Sequence, residues 1–291
     1  MFQRMANGIL LAKQSARVLM SDKELLVFPL LSSIGCILVL ATFVIPFTFT
    51  DLYVELVQSE KGPTQVQSIL LGVVAFLYYF CNFFVIVFFN SALVSCAIIR
   101  LKGGDPNLRD GLSSAMARLP QIFMWALVAA TVGLVLKAIE SRSEKFGSIV
   151  ANLVGMAWSI TTYFVVPILV VEGLGPIGAV KRSASIIRKT WGESLTAHAG
   201  IGIVTFLAVL PGIGIIAGGV ALFSVSWQLA IVVLVLGVLW IWVTTLISSA
   251  IGTILLGGMY IYAVEGNVPD QFDAGAFQAA FTNRKHNSLL G

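Results

Sequence analysis

Six long apolar runs limit what this chain can fold into more than any other feature. They cover residues 26–47, 68–99, 121–136, 148–171, 197–223 and 229–264. A bilayer core about 30 Å thick needs about 20 apolar residues per helix. Charged residues make up 11% of the chain, against about a quarter in soluble domains. The runs therefore predict an all-α, polytopic transmembrane helical bundle, with residues 1–291 forming a single transmembrane domain.

The lengths of three runs bear on the number of spans. The third run looks short, while the second and the sixth are long enough to tilt or to begin before the bilayer. The sixth run is also compatible with two short helices, separated at Ser248, Ser249 and Gly252. We prefer one helix, because six spans preserve the charge pattern described next.

Lysine and arginine are unevenly distributed between the segments that join these runs. With six spans and a cytoplasmic N-terminus, 14 of the 18 basic residues lie in cytoplasmic segments. Cytoplasmic loops of membrane proteins are enriched in these residues. The pattern predicts a multi-pass protein of the cell (inner) membrane with both termini in the cytoplasm. Residues 1–25 would form an amphipathic N-terminal segment, 26–264 the six spans and 265–291 a cytoplasmic tail.

A Gly-x-x-Pro sequence follows each even-numbered run. The three copies begin at Gly103, Gly173 and Gly266, and the last two belong to a shared Val-Glu-Gly sequence. Glycine suits the end of one helix, and proline suits the first turn of the next. The recurrence predicts three hairpin-like repeats that each end in a short cytoplasmic helix. The alternative is chance recurrence of a common turn.

The segment after the fourth run, VVEGLGPIGAVKRSASIIRKTW, has apolar residues at helical spacing and basic residues mostly on the other side. Its apolar stripe consists of Ile177, Val180, Ala184, Ile187 and Trp191. Such a helix can lie on a membrane surface with its cations near anionic headgroups. The predicted lipid- or partner-binding residues are Lys181, Arg182, Arg188, Lys189 and Trp191. Alternatively, the segment is basic only because membrane insertion requires it, and its helix caps the bundle.

Two other predicted cytoplasmic segments show the same pattern. Before the first run, apolar residues at helical spacing alternate with Lys13 and Arg17. After the second run, a similar stripe lies beside Arg109 and Arg118. We expect membrane lipids, anionic ones above all, as partners, with a protein partner or a second copy of the chain as further possibilities. Topology accounts for the net charge of +4, so nucleic acid is not an expected partner.

Polar residues within the runs or at their ends predict contacts inside the bundle. These residues are Asn82, Asn90, Arg100, Glu172 and Glu265. Asn82 and Asn90 lie eight residues apart, and an amide in lipid needs a partner, which favours an interhelical hydrogen bond over a substrate contact. A glutamate at a helix C-terminus opposes the helix dipole, so both glutamates should have basic partners such as Arg100 or Arg182.

The fifth run is rich in glycine and contains Pro211 and Gly212. Helices interrupted by Gly and Pro form binding sites in transporters, whereas small residues such as Gly214 and Gly218 allow helices to pack closely. We favour packing, because no matching interruption occurs in a second half of the chain. Recognisable hydrolase, P-loop and zinc-protease motifs are absent. We therefore expect no enzymatic activity, no cofactor and no metal site.

Four stretches resemble an uncharacterised family of six-span membrane proteins, known only as a domain of unknown function. They are KELLVFPLLSS, FFNSALVSCAIIRLKGG, VVPILVVEGLGPIGAVKRSASIIRKTWGE and YIYAVEGNVPDQFD. The resemblance implies a fold and a membrane location, but no activity. More remotely, the order of span, turn and amphipathic helix is similar to the membrane domain found on some glycerophosphodiester phosphodiesterases, whose catalytic domain this chain lacks.

Two functions are compatible with these patterns. The first is a non-enzymatic scaffold, or a protein that binds lipid or a partner through its cytoplasmic amphipathic basic segments. The second is a transporter or channel for a small or lipid-like solute, which would use the fifth span together with Asn82 and Asn90. We favour the first, because the spans lack the buried charges that usually mark ion or proton pathways.

Overall fold

A computed structural model describes residues 2–48, 64–141, 146–190 and 197–281. Within these ranges the chain is helical apart from short turns, and no strand occurs. The helices are α1 (Phe2–Ser21), α2 (Val27–Thr48), α3 (Gln65–Leu101), α4 (Leu108–Ala117), α5 (Leu119–Ser141), α6 (Phe146–Thr161), α7 (Val165–Val171), α8 (Pro176–Thr190), α9 (Ala197–Ala221), α10 (Trp227–Glu265) and α11 (Ala274–Phe281). Short 3-10 helices lie at Lys23–Leu26 and Leu222–Ser224.

Six helical segments are long and apolar enough to cross a membrane. They are Lys23–Pro46, Gln65–Leu101, Leu119–Glu140, Ala151–Val171, Val204–Ser224 and Trp227–Glu265. Each corresponds to one of the six apolar runs, because a run of about 20 apolar residues can bury its backbone polar groups in lipid only as a helix. The predicted all-α bundle with six candidate spans is confirmed.

The third span is longer than its apolar run indicated. The candidate span Leu119–Glu140 has 22 residues and continues through Lys137. The ammonium of Lys137 donates a hydrogen bond to the Tyr79 hydroxyl at 3.0 Å and lies 5.5 Å from the centre of that ring. A long lysine side chain can keep its charge beside a polar and aromatic partner while its stem covers apolar surface. The basic residue therefore does not end the helix.

The sixth run forms one helix, as we preferred. α10 has 39 residues, which corresponds to about 58 Å, or about twice the thickness of the hydrocarbon core. Most apolar side chains between residues 229 and 247 are exposed, whereas the helix is mostly buried from Ala250 to Ile261. α3 shows the same change in burial along its length. Its residues 91–98 are all buried, whereas most residues of its first half are not. Each of these two helices thus joins a lipid-compatible part to a part that packs within the protein.

The chain divides into two compact units, each assembled from separate stretches. One comprises Met1–Pro29, Cys96–Leu108 and Ile186–Gly291, and the other comprises Leu30–Ser95 and Arg109–Ser185. In the first unit, α1 packs against α9, α10 and α11. In the second, α5 packs against α6, where Trp125 stacks on Trp158 with 5.8 Å between the ring centres. The single-domain description of the chain stays a prediction.

Pro211 does not break α9, which is helical from Ala197 to Ala221. A proline removes one backbone donor from a helix interior, and a carbonyl left without a partner in lipid is costly. Pro211 removes the N–H that would bond to the Leu207 carbonyl oxygen. The indole N–H of Trp240 on α10 donates to the next carbonyl oxygen, that of Ala208, at 3.0 Å. The neighbouring helix thus contacts the backbone close to the proline, and the interruption that the sequence suggested is not present.

Close packing between α9 and α10 depends on glycines. A Cβ atom on Gly237 would lie 3.2 Å from the Gly212 carbonyl oxygen, and one on Gly219 would lie 3.1 Å from a backbone nitrogen of α10. A side chain at either position would therefore require the backbone of the facing helix to move away. Gly214 and Gly218 have no such neighbour within 4 Å among the described residues. The preference for packing holds, but the glycines that allow it are Gly212, Gly219 and Gly237 rather than the expected Gly214 and Gly218.

The fourth span is interrupted, which was not predicted from the sequence. α6 ends at Thr161 and α7 begins at Val165. Pro167 lies in the first turn of α7, where its missing N–H costs no intrahelical hydrogen bond. The break places the N–H of Phe164 outside the helical hydrogen-bond ladder, and that residue is completely buried. A partner for this N–H is therefore needed from elsewhere in the chain.

Candidate functional site

The charged residues of the predicted site lie beside or after the turns that carry Gly-x-x-Pro, whereas Asn82 and Asn90 lie within α3. Gly103, Gly173 and Gly266 have φ angles of 86°, 67° and 78°, and they are the only described residues with a positive φ. Each lies just beyond the C-terminus of a helix, where the left-handed conformation favours glycine. The three glycines thus share the left-handed conformation, although their N–H groups donate to carbonyls three, five and four residues earlier, respectively. The larger arrangement into three repeated hairpins stays a prediction.

Ser183 of α8 supplies the partner that the broken span requires. Its hydroxyl accepts a hydrogen bond from the Phe164 N–H at 3.1 Å, and its side chain is fully buried. The buried face of α8 consists of Ala179, Ser183, Ile186 and Ile187. This face is rotated from the predicted apolar stripe, in which Ile177 is 73% exposed. Small side chains at positions 179 and 183 allow α8 to approach closely enough for the hydrogen bond.

An ion pair joins the end of α7 to α8. Arg182 Nε donates to both carboxylate oxygens of Glu172 at 3.1 Å. The arginine side chain is 38% exposed and the carboxylate side chain is 23% exposed. The cation lies at the C-terminal end of α7, where it offsets the unfavourable meeting of the glutamate with the helix dipole. Glu172 therefore pairs with α8, the next helix along the chain.

Arg118 is a site residue that the sequence did not single out as one. Its Nε donates to the Val170 carbonyl oxygen at 3.3 Å, in the last turn of α7. Its guanidinium also lies over Gly173, where a Cβ would be only 2.6 Å from a guanidinium nitrogen. A cation at a helix C-terminus satisfies an orphan carbonyl and suits the dipole. No local sequence signal indicates this contact, because Arg118 and Val170 are 52 residues apart in the chain.

The turn after α3 has a separate set of polar contacts. Lys102 donates to the Glu265 carboxylate at 2.5 Å. Arg100 pairs with Asp105 at 2.8 Å, and its carbonyl oxygen accepts from the Gln271 side chain at 3.4 Å. The partner of Glu265 is thus Lys102 and not Arg100. Arg100 pairs with Asp105 in its own turn. These contacts join the end of α3 to the end of α10.

Asp22 lies between α1 and the first 3-10 helix and is 8% exposed. Burial raises the pKa of its carboxyl group above the ordinary value of 3.8, while the positive charge of Arg100 opposes the increase and Glu24 adds to it. One carboxylate oxygen is buried without a hydrogen-bond partner among the described residues. The carboxylate therefore destabilises the fold in its charged form. No sequence pattern distinguished it from an exposed aspartate.

The predicted binding residues on α8 differ in their surroundings. Lys181, Arg188 and Lys189 are exposed, whereas Arg182 is partly buried against Glu172. Lys181 and Arg188 lie on the side of α8 opposite its buried face, since they are about half a helical turn away from residues 179 and 183, whereas Lys189 lies at the edge of that face. Trp191 lies outside the described residues.

The two asparagines of the second span have different environments. The Asn82 side-chain amide donates to the Tyr78 carbonyl oxygen at 2.9 Å, within its own helix. Asn90 is half-buried and precedes Ser91, whose hydroxyl is buried without a partner in the described part of the chain. The hydrogen bond of Asn82 is therefore local rather than interhelical. A transport role for these residues stays a prediction.

The fold defines a multi-pass α-helical membrane protein whose charged contacts lie at helix ends. Comparison with protein families assigns it further: the chain belongs to the Family of unknown function (DUF6159), whose model matches residues 69–270. The matched region includes the three turns and α8, and it confirms the resemblance to an uncharacterised family. No curated protein and no solved structure matches the chain. The more remote likeness to phosphodiesterase membrane domains stays a prediction.

Proposed function

We propose that this membrane protein is non-enzymatic and binds anionic membrane lipids at its cytoplasmic face, through the three exposed cations of α8. One observation carries the proposal. Lys181, Arg188 and Lys189 are exposed on a helix whose buried face is fixed within the protein. In the predicted topology, both termini and all three Gly-x-x-Pro turns lie in the cytoplasm. The cations of α8 would then face the inner leaflet, which carries anionic lipids.

The position of α8 supports contact with headgroups. α8 begins at Pro176, five residues after α7 ends at Val171, so its first turn lies close to the end of a candidate span. Attraction of cations to an anionic leaflet extends over about 8–10 Å at physiological salt. Each lysine or arginine within that layer contributes about 1 kcal/mol. Three cations would therefore contribute about 3 kcal/mol if each acts fully.

The contacts of Arg182 and Ser183 give α8 a fixed orientation. Arg182 is held by Glu172, and Ser183 is held by the Phe164 N–H. A helix held in this way presents its cations without a further cost of ordering the backbone. The role of Arg182 is then to position α8, so the lipid-binding set is smaller than the predicted set of four cations.

Lipid selectivity of the purified full-length protein tests the proposal. The measurement is native mass spectrometry after equilibration with phosphatidylglycerol or phosphatidylcholine of identical acyl chains. We expect the wild-type protein to bind more molecules of phosphatidylglycerol than of phosphatidylcholine, and we expect the Lys181→Gln/Arg188→Gln/Lys189→Gln variant to bind fewer molecules of phosphatidylglycerol, with its phosphatidylcholine binding unchanged. The matched control is Arg17→Gln/Lys23→Gln/Arg109→Gln, which removes the same charge at other exposed positions.

The control separates a specific surface from general attraction. If both triple variants lose the preference equally, net charge alone explains binding and the proposal is wrong. A wild-type protein with equal affinity for the two lipids also contradicts it. Co-purification of a stoichiometric protein that the α8 variant releases would assign these cations to a protein partner instead.

A further inference from the structure

An open groove runs along α10 in the first compact unit, on the side facing α9. Its cavity volume is about 570 Å³. Its apolar lining includes Ala208, Leu236, Leu239, Trp240, Val243 and Ile247. The groove belongs to the part of α10 whose side chains are exposed, and Leu236, Leu239 and Val243 are each between 46% and 55% exposed. This stretch of the helix suits the hydrocarbon layer.

A smaller cavity of about 170 Å³ continues the groove toward α1. The two cavities share Val204, Ser248 and Ile251, and the smaller one adds Ala12 and Lys13 of α1. Together they form one continuous groove that is apolar along most of its length and has a single cation, Lys13, at one end. We call this feature the lateral groove.

The cation lies where α10 changes its surroundings. Ser248, which lines both cavities, is two residues before Ala250, the residue at which α10 becomes mostly buried. The apolar lining lies on the exposed side of this boundary. A lysine at the boundary between hydrocarbon and water can extend its ammonium toward phosphate groups. Lys13 itself is exposed.

Hydroxyl groups lie between the apolar length and the cation. Thr205, Thr244 and Ser248 line the lateral groove. Within the described part of the chain, their hydroxyls make no hydrogen bond, whereas the neighbouring Thr245 hydroxyl bonds to the Ile241 carbonyl oxygen at 2.8 Å. An unpartnered hydroxyl near the edge of the hydrocarbon can donate to an ester oxygen.

We propose that the lateral groove binds one anionic phospholipid. An acyl chain lies along Leu236, Leu239 and Val243, the hydroxyls of Thr205 and Ser248 face the glycerol esters, and Lys13 attracts the phosphate. The volume is within the range of about 300–1,000 Å³ that is usual for ligand pockets. The lateral groove shares no residue with the cations of α8, so this binding site is independent of the proposed function.

The order of chemical groups favours a lipid over a second copy of the chain. Apolar side chains, hydroxyls and a cation follow one another along the groove, which is the order of acyl chain, ester and phosphate in a phospholipid. Close helix–helix interfaces in membranes are enriched in small residues. The exposed lining instead contains Leu236, Leu239 and Trp240.

Native mass spectrometry of the full-length protein with phosphatidylglycerol and phosphatidylcholine tests the assignment. Lys13→Gln should weaken the tightest phosphatidylglycerol binding about fivefold, which corresponds to the loss of one interfacial cation, and should leave phosphatidylcholine binding unchanged. Lys23→Gln, an exposed position outside the groove, should change neither. Val243→Trp should fill the groove and abolish the tightest binding of both lipids, and Leu239→Trp gives the same test if Val243→Trp does not fold.

Other results would overturn the assignment. Equal effects of Lys13→Gln and Lys23→Gln would show general electrostatic attraction. Retention of the tightest binding in both folded tryptophan variants would place the lipid elsewhere. A dimer that these variants dissociate would make the groove an interface between copies. The Lys181→Gln/Arg188→Gln/Lys189→Gln variant should keep this one site, so failure of the α8 proposal and failure of the groove proposal give different results.

Discussion

The backbone N–H of Phe164 donates a hydrogen bond to the hydroxyl of Ser183 across 19 residues, at 3.1 Å and with both residues fully buried. This bond joins the interruption of the fourth span to the short basic helix that follows it. An irregular backbone segment at membrane depth is tolerated only when its polar groups find partners within the protein. The same bond thus satisfies the span and orients α8.

Ser183→Ala should destabilise the protein by about 1–3 kcal/mol, because it removes the hydroxyl that accepts a hydrogen bond from the buried Phe164 N–H. Ser185→Ala is the matched control, since Ser185 is half-buried on the same helix. The measurement is thermal unfolding of both variants in detergent. Equal melting temperatures for the two variants would show that the Ser183 hydrogen bond contributes no stability.

Gly173→Ala should destabilise the protein more than Gly175→Ala does. Gly173 has a φ of 67° and lies against the Arg118 guanidinium, whereas Gly175 has no neighbour within 4 Å among the described residues. The left-handed conformation alone costs about 1–2 kcal/mol for a residue with a Cβ. The unfolding temperatures of the two variants check this difference, and a ranking in the opposite order would contradict the account of the turn.

Asp22→Asn should stabilise the protein at neutral pH. Because burial raises the carboxyl pKa in the folded state, the folded state holds the proton more tightly than the unfolded chain does. Stability of the wild-type protein then increases as the pH falls through the folded-state pKa toward 3.8. The stabilising effect of Asp22→Asn should therefore shrink on acidification. Thermal unfolding as a function of pH measures it, and an effect that grows at low pH would have the wrong sign.

The ion pair between Lys102 and Glu265 should contribute little. Their side chains are 49% and 43% exposed, and exposed pairs typically contribute about 0.2–1 kcal/mol. A double-mutant cycle of Lys102→Gln and Glu265→Gln should give a coupling energy below about 1 kcal/mol that decreases in high salt. A larger, salt-independent coupling energy would mean that the pair is more constrained than its exposure indicates.

Most of the architecture could be predicted from the sequence, because lipid restricts apolar runs of this length to helices. The turn glycines were also predictable, since a residue just beyond a helix end favours glycine in the left-handed conformation. The length of the third span was not, because Lys137 has a partner in Tyr79 that is 58 residues away in the chain. Contacts of that kind do not appear in hydropathy or local spacing.

The site was predictable in composition but not in arrangement. Basic residues on α8 stand out in the sequence, yet only the fold distinguishes Arg182, paired with Glu172, from the exposed Lys181 beside it. The predicted apolar stripe of α8 is rotated away from the face that is buried. Hydrophobicity assigned the exposed Ile177 to the stripe and left out the buried Ser183. Ser183 is buried because its hydroxyl binds the backbone at the break between α6 and α7. The periodicity of the sequence does not indicate such a contact.

A photo-crosslinking amino acid at position 184, incorporated into the full-length protein in its native membrane, tests the central proposal most directly. Ala184 is half-buried and lies one turn from both Lys181 and Arg188. The control position is Val225, which is 77% exposed in the turn between α9 and α10. We expect irradiation to give lipid adducts at position 184 that are enriched in anionic lipid relative to those at position 225. Protein adducts of one discrete mass at position 184, without anionic lipid, would contradict the proposal.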